Sequence, residues 1–359
     1  MEKNNIIYHS DCRHFLGHIP CKPHKLHGVH CNGCNFYDKV TSKTLIIKLG
    51  ALGDVVRTTP LVEKLRKEYP GTEIWWITLS PNILPNSIDK VLPFDTASVE
   101  ILKNIRFDRL ICLDKDMDAC ALASSIEADK KLGYHLENGR PAPIDQNAVH
   151  KFVTGLFDDV NKSNTKSYPQ EIFEICGYEF QGEEYLLEYT SEIKWDLPAD
   201  KKIIGLNTGC GDRWVSRLWP DEYWIELIKK LQDEGYHPLL LGGKQEHDKN
   251  LHFQKETGAD YKGFYPLQDF MGLMDRCDVI VSAVTMAMHI AVGLKKPLVL
   301  MNNIFNPHEF ELYGRGSIVQ PDKECTCYFS SRCTNPDYTC MNHLPSQKIF
   351  DAVHSALKA

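Results

Sequence analysis

The chain has 359 residues, 43% of them hydrophobic and 25% charged, with a formal net charge of -7 at pH 7. That length suits two domain-sized α/β units and an appendage, and no apolar run reaches the roughly 18 residues needed to cross a bilayer. The acidic balance argues against wholesale charge-driven nucleic-acid binding, so no nucleic acid is expected as a partner. The polar start, Met1 to Asn5, carries no apolar signal core, and a cytoplasmic location, with peripheral attachment to the inner membrane admitted, is expected.

The first forty residues are set apart by Cys12, Cys21, Cys31 and Cys34, spaced C-x8-C-x9-C-x2-C, with His14, His18, His24, His27 and His30 among them. Four thiolates can surround a tetrahedral zinc or iron ion. A segment this short cannot bury its own core, so a structural metal would supply its folding energy. The alternative is a leader with unbound thiols. Sequence does not separate zinc from iron.

Thr44 to Gly50 is a β-branched apolar run ending in glycine, and Val55, Val56, Leu61, Val62 and Leu65 follow at helical spacing. Further runs at Glu73 to Leu79 and Arg106 to Asp114 predict a parallel sheet with helices on both faces. Asp114-Lys115-Asp116 reads as a polar loop rather than an Asp-x-Asp metal site. Residues 149–180 read as mostly helical, and Tyr185 to Tyr189 as a closing strand. After a polar stretch around Ser191 to Lys202 the pattern repeats. Strands are predicted at Lys202 to Gly205, Pro238 to Gly243, Cys277 to Val284 and Leu298 to Met301, with helices at Asp221 to Glu234 and Met286 to Gly293. Pro345 to Lys358 reads as a final amphipathic helix. The predicted organisation is a Cys/His-rich extension (1–40), two Rossmann-like domains (41–195 and 196–342) and a C-terminal helix (343–359), with ligands at the carboxyl ends of the strands.

In Gly50-Ala51-Leu52-Gly53-Asp54-Val55 two glycines bracket a tight strand-to-helix turn. Asp54 is either a helix cap or a carboxylate able to deprotonate an acceptor hydroxyl, and spacing alone leaves both open. G-x-G-x-x-G is absent after this strand and the P-loop is absent throughout, which disfavours dinucleotide and P-loop chemistry. The later loop Asn207 to Pro220 holds Thr208, Gly209, Arg213 and Arg217. Its glycines and forked donors suit a phosphate, although the arginines could be surface charges. Gly243 and Glu246 follow the next strand. Glu246 is placed for a ribose or simply for a helix start. Thr285, Met286 and His289 open another helix, where backbone amides favour a pyrophosphate.

These three loops, in this order, resemble the heptosyltransferase family of inverting glycosyltransferases from about Thr44 to the C-terminal helix. The resemblance implies the two-domain α/β GT-B fold and metal-independent transfer from a nucleotide sugar, ADP-heptose being favoured, to a glycolipid, glycan or protein hydroxyl. The family's catalytic aspartate falls on Asp54. Its basic phosphate position, usually lysine, falls on Arg217, its ribose glutamate on Glu246, and its helix-start pair on Thr285 and His289. Val284-Thr285-Met286 stands where the family usually has Asp-Thr-Gly. That variant, together with Asn302 to Asn306, Glu309 to Gly314 and the terminal cysteines, looks more like the branch containing autotransporter heptosyltransferases. In that branch the acceptor can be a protein and cysteines bind iron. Cys325, Cys327, Cys333 and Cys340, spaced C-x-C-x5-C-x6-C, are then a second metal set or free thiols. A homo-oligomer is admitted. The competing reading is a catalytically inactive or nucleotide-sensing protein with a zinc module.

Overall fold

The computed structural model describes residues 7–211 and 213–358; Asp212 of the glycine-rich loop and the polar start at Met1 to Asn5 lie outside them. The chain forms two compact units. One contains the residues through Gly50 with 59–152 and 172–178, and the other contains 51–58, 153–171 and 179 onward.

The first unit is built on strands β1 (Ser42–Ile47), β2 (Thr72–Thr78), β3 (Lys90–Pro93), β4 (Phe107–Cys112), β5 (Ala128–Glu137) and β6 (Arg140–Pro143), in the order β3-β2-β1-β4-β5-β6. Leu45, Ile46 and Ile47 of β1 are fully buried, because a central parallel strand covered on both faces needs apolar residues at successive positions. The parallel expectation fails at one edge, where β5 and β6 pair antiparallel. Asn138 and Gly139 join them with φ of 51° and 76°. Two left-handed residues give the hairpin turn whose twist matches its strands, and Asn-Gly is its preferred sequence.

The N-terminal segment is tied to this unit. Arg13 donates to Asp38 (2.8 Å), to Asp89 (2.7 Å) and to the Gly71 and Thr72 carbonyls, while Cys12 bridges Lys39.

The second unit repeats the plan with β7 (Ile203–Asn207), β8 (His237–Leu241), β9 (Asp260–Tyr261), β10 (Val279–Ala283), β11 (Leu298–Met301) and β12 (Gly316–Val319), in the order β12-β11-β10-β7-β8-β9. The helix Asp221–Asp233 places Trp224, Leu227, Ile228 and Leu231 on one stripe against Ile204, Leu206, Val279 and Val281. Ile349 and Val353 of the last helix, Ser346–Ala356, join the same core.

A second expectation is corrected. No strand forms at Tyr185 to Tyr189. The two tyrosines there serve side-chain packing, not strand pairing: Tyr185 is buried beside His289 and Tyr313, and Tyr189 donates to Asp275 at 2.7 Å. Asp114 lies, as expected, in the loop that follows β4. It is buried, pairs with Lys48 and accepts the Leu49 amide. Among the described residues no helix is long and apolar enough to cross a membrane.

Candidate functional site

In each sheet the strand order reverses between the first and fourth strands of its series, β1 and β4 or β7 and β10. Loops leaving such neighbours part in opposite directions and open a crevice beyond their carboxyl ends. In the second unit that crevice is a cavity of about 440 Å³. Gly209, Cys210, Gly211 and Arg217 reach it from the loop after β7, Gly243 and Glu246 from after β8, and Thr285 and Met286 from after β10.

Thr285 caps the helix Met286–Gly293, its hydroxyl accepting from the Ala287 amide at 3.2 Å. Asn207 donates to the same oxygen at 3.4 Å. An eight-residue helix thus points its amide end toward the cavity, the arrangement that favours anions.

Arg217 is the principal charge in this wall. It is 7% exposed, donates from Nη2 to the Cys210 carbonyl at 2.9 Å, and lies near the rings of Trp214 and Phe305. Among the described residues no carboxylate pairs with it. Burial pulls its pKa down to about 10, so it remains a cation at neutral pH. A buried unpaired cation is costly unless a ligand supplies the anion.

Glu246 occupies the space left by two glycines. It accepts from the Gly243 amide at 2.9 Å, and a Cβ on Gly209 would stand 2.0 Å from its Oε1, one on Gly242 2.6 Å from its Cβ. It therefore caps the turn Lys244–Glu246 and lines the cavity at once. Tyr265, Leu267 and Phe270 also line the cavity and were not anticipated from sequence. They lie at and near the start of the helix Leu267–Met274, and their only sequence signal was apolar character.

Leu52 also lines the cavity, and it begins the short helix Leu52–Val56 that carries Asp54. Asp54 Oδ2 accepts from the Ala51 amide at 3.3 Å, and Oδ1 is 2.8 Å from Nη2 of Arg57. Behind this turn sits His289. A Cβ on Gly53 would fall 2.3 Å from its Cδ2, so only glycine fits there. Burial, and then the Arg57 charge, push the His289 pKa down to about 3, so its ring is neutral. Thr208 and Arg213 stand apart from the cavity. Thr208 is buried and donates to Asn250 at 2.6 Å, while Arg213 is exposed beside Trp214.

The cysteines gather in two places. Cys12, Cys21, Cys31 and Cys34 line one cavity of about 30 Å³ with His9 and His14 in the first unit. In the second, the Cys327 and Cys333 sulfurs are 3.6 Å apart, and the Cys325 thiol donates to Cys340 and lowers its pKa to about 6. The donor chemistry at both suits zinc or iron. Among the described residues, however, no three Cys, His, Asp or Glu side chains are placed so that they could hold a metal ion.

Comparison with known proteins adds the lineage. Over 297 residues the chain is 22% identical to lipopolysaccharide heptosyltransferase 2 of Salmonella typhimurium, covering 74% of this chain and 84% of the relative. Its fold is similar to the glycosyl transferase family 9 structure from Veillonella parvula (TM-score 0.69, 18% identity, 89% of this chain and 97% of that one). It is also similar to the dodecameric iron-containing heptosyltransferase TibC of enterotoxigenic E. coli, whose complex with ADP-D-β-D-heptose matches with a TM-score of 0.52 at 11% identity, covering 89% and 77%. These likenesses agree with the GT-B expectation of two α/β units. The family model for glycosyltransferase family 9 matches residues 97–339, more than half the chain and downstream of Asp54. The chain therefore belongs to glycosyltransferase family 9 (heptosyltransferase).

Proposed function

We propose that this chain moves heptose from ADP-heptose, with inversion, to a hydroxyl of a glycolipid, glycan or protein, with Asp54 as the general base, in the cytoplasm. The observation that carries the reading is Arg217: a buried cation without a carboxylate partner among the described residues, in a cavity that Leu52 of the Asp54 helix also lines. A nucleoside diphosphate supplies the missing negative charge. Tyr265, Leu267 and Phe270 offer an apolar wall for the base, and Glu246 an acceptor for ribose hydroxyls. The heptose and adenine assignments draw on the relative crystallised with ADP-heptose.

Asp54 takes the acceptor hydroxyl proton as that oxygen bonds to the anomeric carbon. The bond from that carbon to the diphosphate oxygen breaks on the opposite face. Arg217, the Thr285 hydroxyl and the helix amides stabilise the charge that accumulates on the departing ADP. No metal is assigned a step. The metal proposed for this chain is structural, a zinc or iron ion around which Cys12, Cys21, Cys31 and Cys34 would have to close from where they stand, and their lining of one small cavity supports it.

ADP release measured across a panel of nucleotide sugars, with cell-extract acceptors, tests the transfer. Asp54→Asn should lower turnover by about 10²- to 10⁴-fold while ADP binding is retained. An active Asn variant removes Asp54 from the role, and silence toward every donor returns the chain to the sensing alternative. Elemental analysis of the same preparation should find at least one zinc or iron per chain, and a folded, metal-free protein would exclude the structural ion.

A further inference from the structure

Arg57 has no part in the transfer as described, yet its surroundings are unusually complete. Its side chain is 11% exposed. Nη2 meets Asp54 Oδ1 at 2.8 Å, Nη1 donates to Glu309 Oε1 at 3.1 Å, and the guanidinium lies 3.5 Å from the ring centre of Tyr168. Its Nε is buried with no hydrogen-bond partner. A planar guanidinium held this way on three sides has one orientation, and a carboxylate bonded to it inherits that orientation.

We propose that Arg57 is the positioning residue for Asp54, fixing the carboxylate's direction and holding it ionised, and that Glu309 in turn sets Arg57. This rests on the reading of Asp54 as the base. Arg57 touches Asp54 rather than the reacting atoms, so it acts through its neighbour. Arg57 engages Oδ1 at 2.8 Å, and Oδ2 accepts the longer bond from the Ala51 amide at 3.3 Å. Besides Asp54 and Glu309, the titratable groups facing Arg57 among the described residues are Tyr168, Tyr185 and His289. Tyr185 is buried and its phenol pushed up above its ordinary range, chiefly by burial, so it stays neutral, as does His289. Burial disfavours the Arg57 cation, but Asp54 and then Glu309 more than offset that, and it stays charged.

Charge then dictates opposite outcomes for two variants. Arg57→Met removes a cation from beside Asp54, and Glu309→Gln removes an anion from beside Arg57. The acidic limb of the kcat/KM profile should move up by about one to two pH units in Arg57→Met and down in Glu309→Gln. In Arg57→Met kcat should fall about tenfold to a hundredfold with the donor KM within about twofold, and Arg57→Lys should restore part of kcat. Shifts in the same direction, or kcat lost with an unmoved limb, would mean that Arg57 only supports the fold and would overturn the proposal. If Arg57→Met does not fold, Glu309→Gln alone decides by the direction of its shift. An active Asp54→Asn control would instead defeat the base assignment, which separates the two failures.

Discussion

The two sheets share one strand order but treat their switch points differently. Beyond β1 and β4 the site is filled from within: Lys48, 3% exposed, pairs with Asp114, 5% exposed, and Asp114 also takes the Leu49 amide. Beyond β7 and β10 Arg217 is just as buried and has no such partner among the described residues. The same topology therefore produces a locked end and an open one. What distinguishes them, among the described residues, is whether a carboxylate pairs with the buried cation.

Substitution should bring out the contrast. The largest effect is expected at the locked end. Lys48→Met leaves the Asp114 carboxylate buried and unpaired, which costs about 3–5 kcal/mol of stability by denaturant unfolding at neutral pH. Burial raises the Asp114 pKa above 3.8 even though Lys48 pulls it down. Its contribution to stability is thus complete below that value and is lost as pH rises through the folded one. Without Lys48 the folded value climbs further, so the variant should regain stability on acidification toward pH 4. A flat pH response would show that the pair is not the lock. At the open end Arg217→Met should behave in the opposite way. ADP affinity falls about tenfold to a hundredfold, as for loss of one charged hydrogen-bonding partner, while the melting temperature holds or rises because an unpaired buried charge is gone. A variant that melts early and binds ADP normally would break the comparison.

Local features were readable from sequence. The apolar run into Gly50, the capping Thr285 and the stripe on Asp221–Asp233 each rest on neighbours within a few residues. The Asn138-Gly139 hairpin is equally local, its dipeptide being a sufficient signal. Arg57 was half legible. Its spacing of three from Asp54 on a helix allows the pair, whereas Glu309 and Tyr168 arrive from distant parts of the chain. The Tyr185 segment misled, and the burial of Asp114 was not legible, for a shared reason. Both are decided by long-range packing, to which periodicity is blind. The same holds for Tyr265, Leu267 and Phe270 as a cavity wall.

The β5–β6 hairpin has a consequence for handling the protein. β6 carries Pro141 and Pro143, which have no amide hydrogen to offer an incoming strand. The remaining edges are β3, four residues ending in Pro93, β12, also of four residues, and β9, of two. Long bare edges recruit other chains into mixed sheets and precipitates, and short or proline-bearing ones do not. Concentrated solutions should therefore resist strand-mediated aggregation, and copies of this chain that associate must do so through side-chain surfaces.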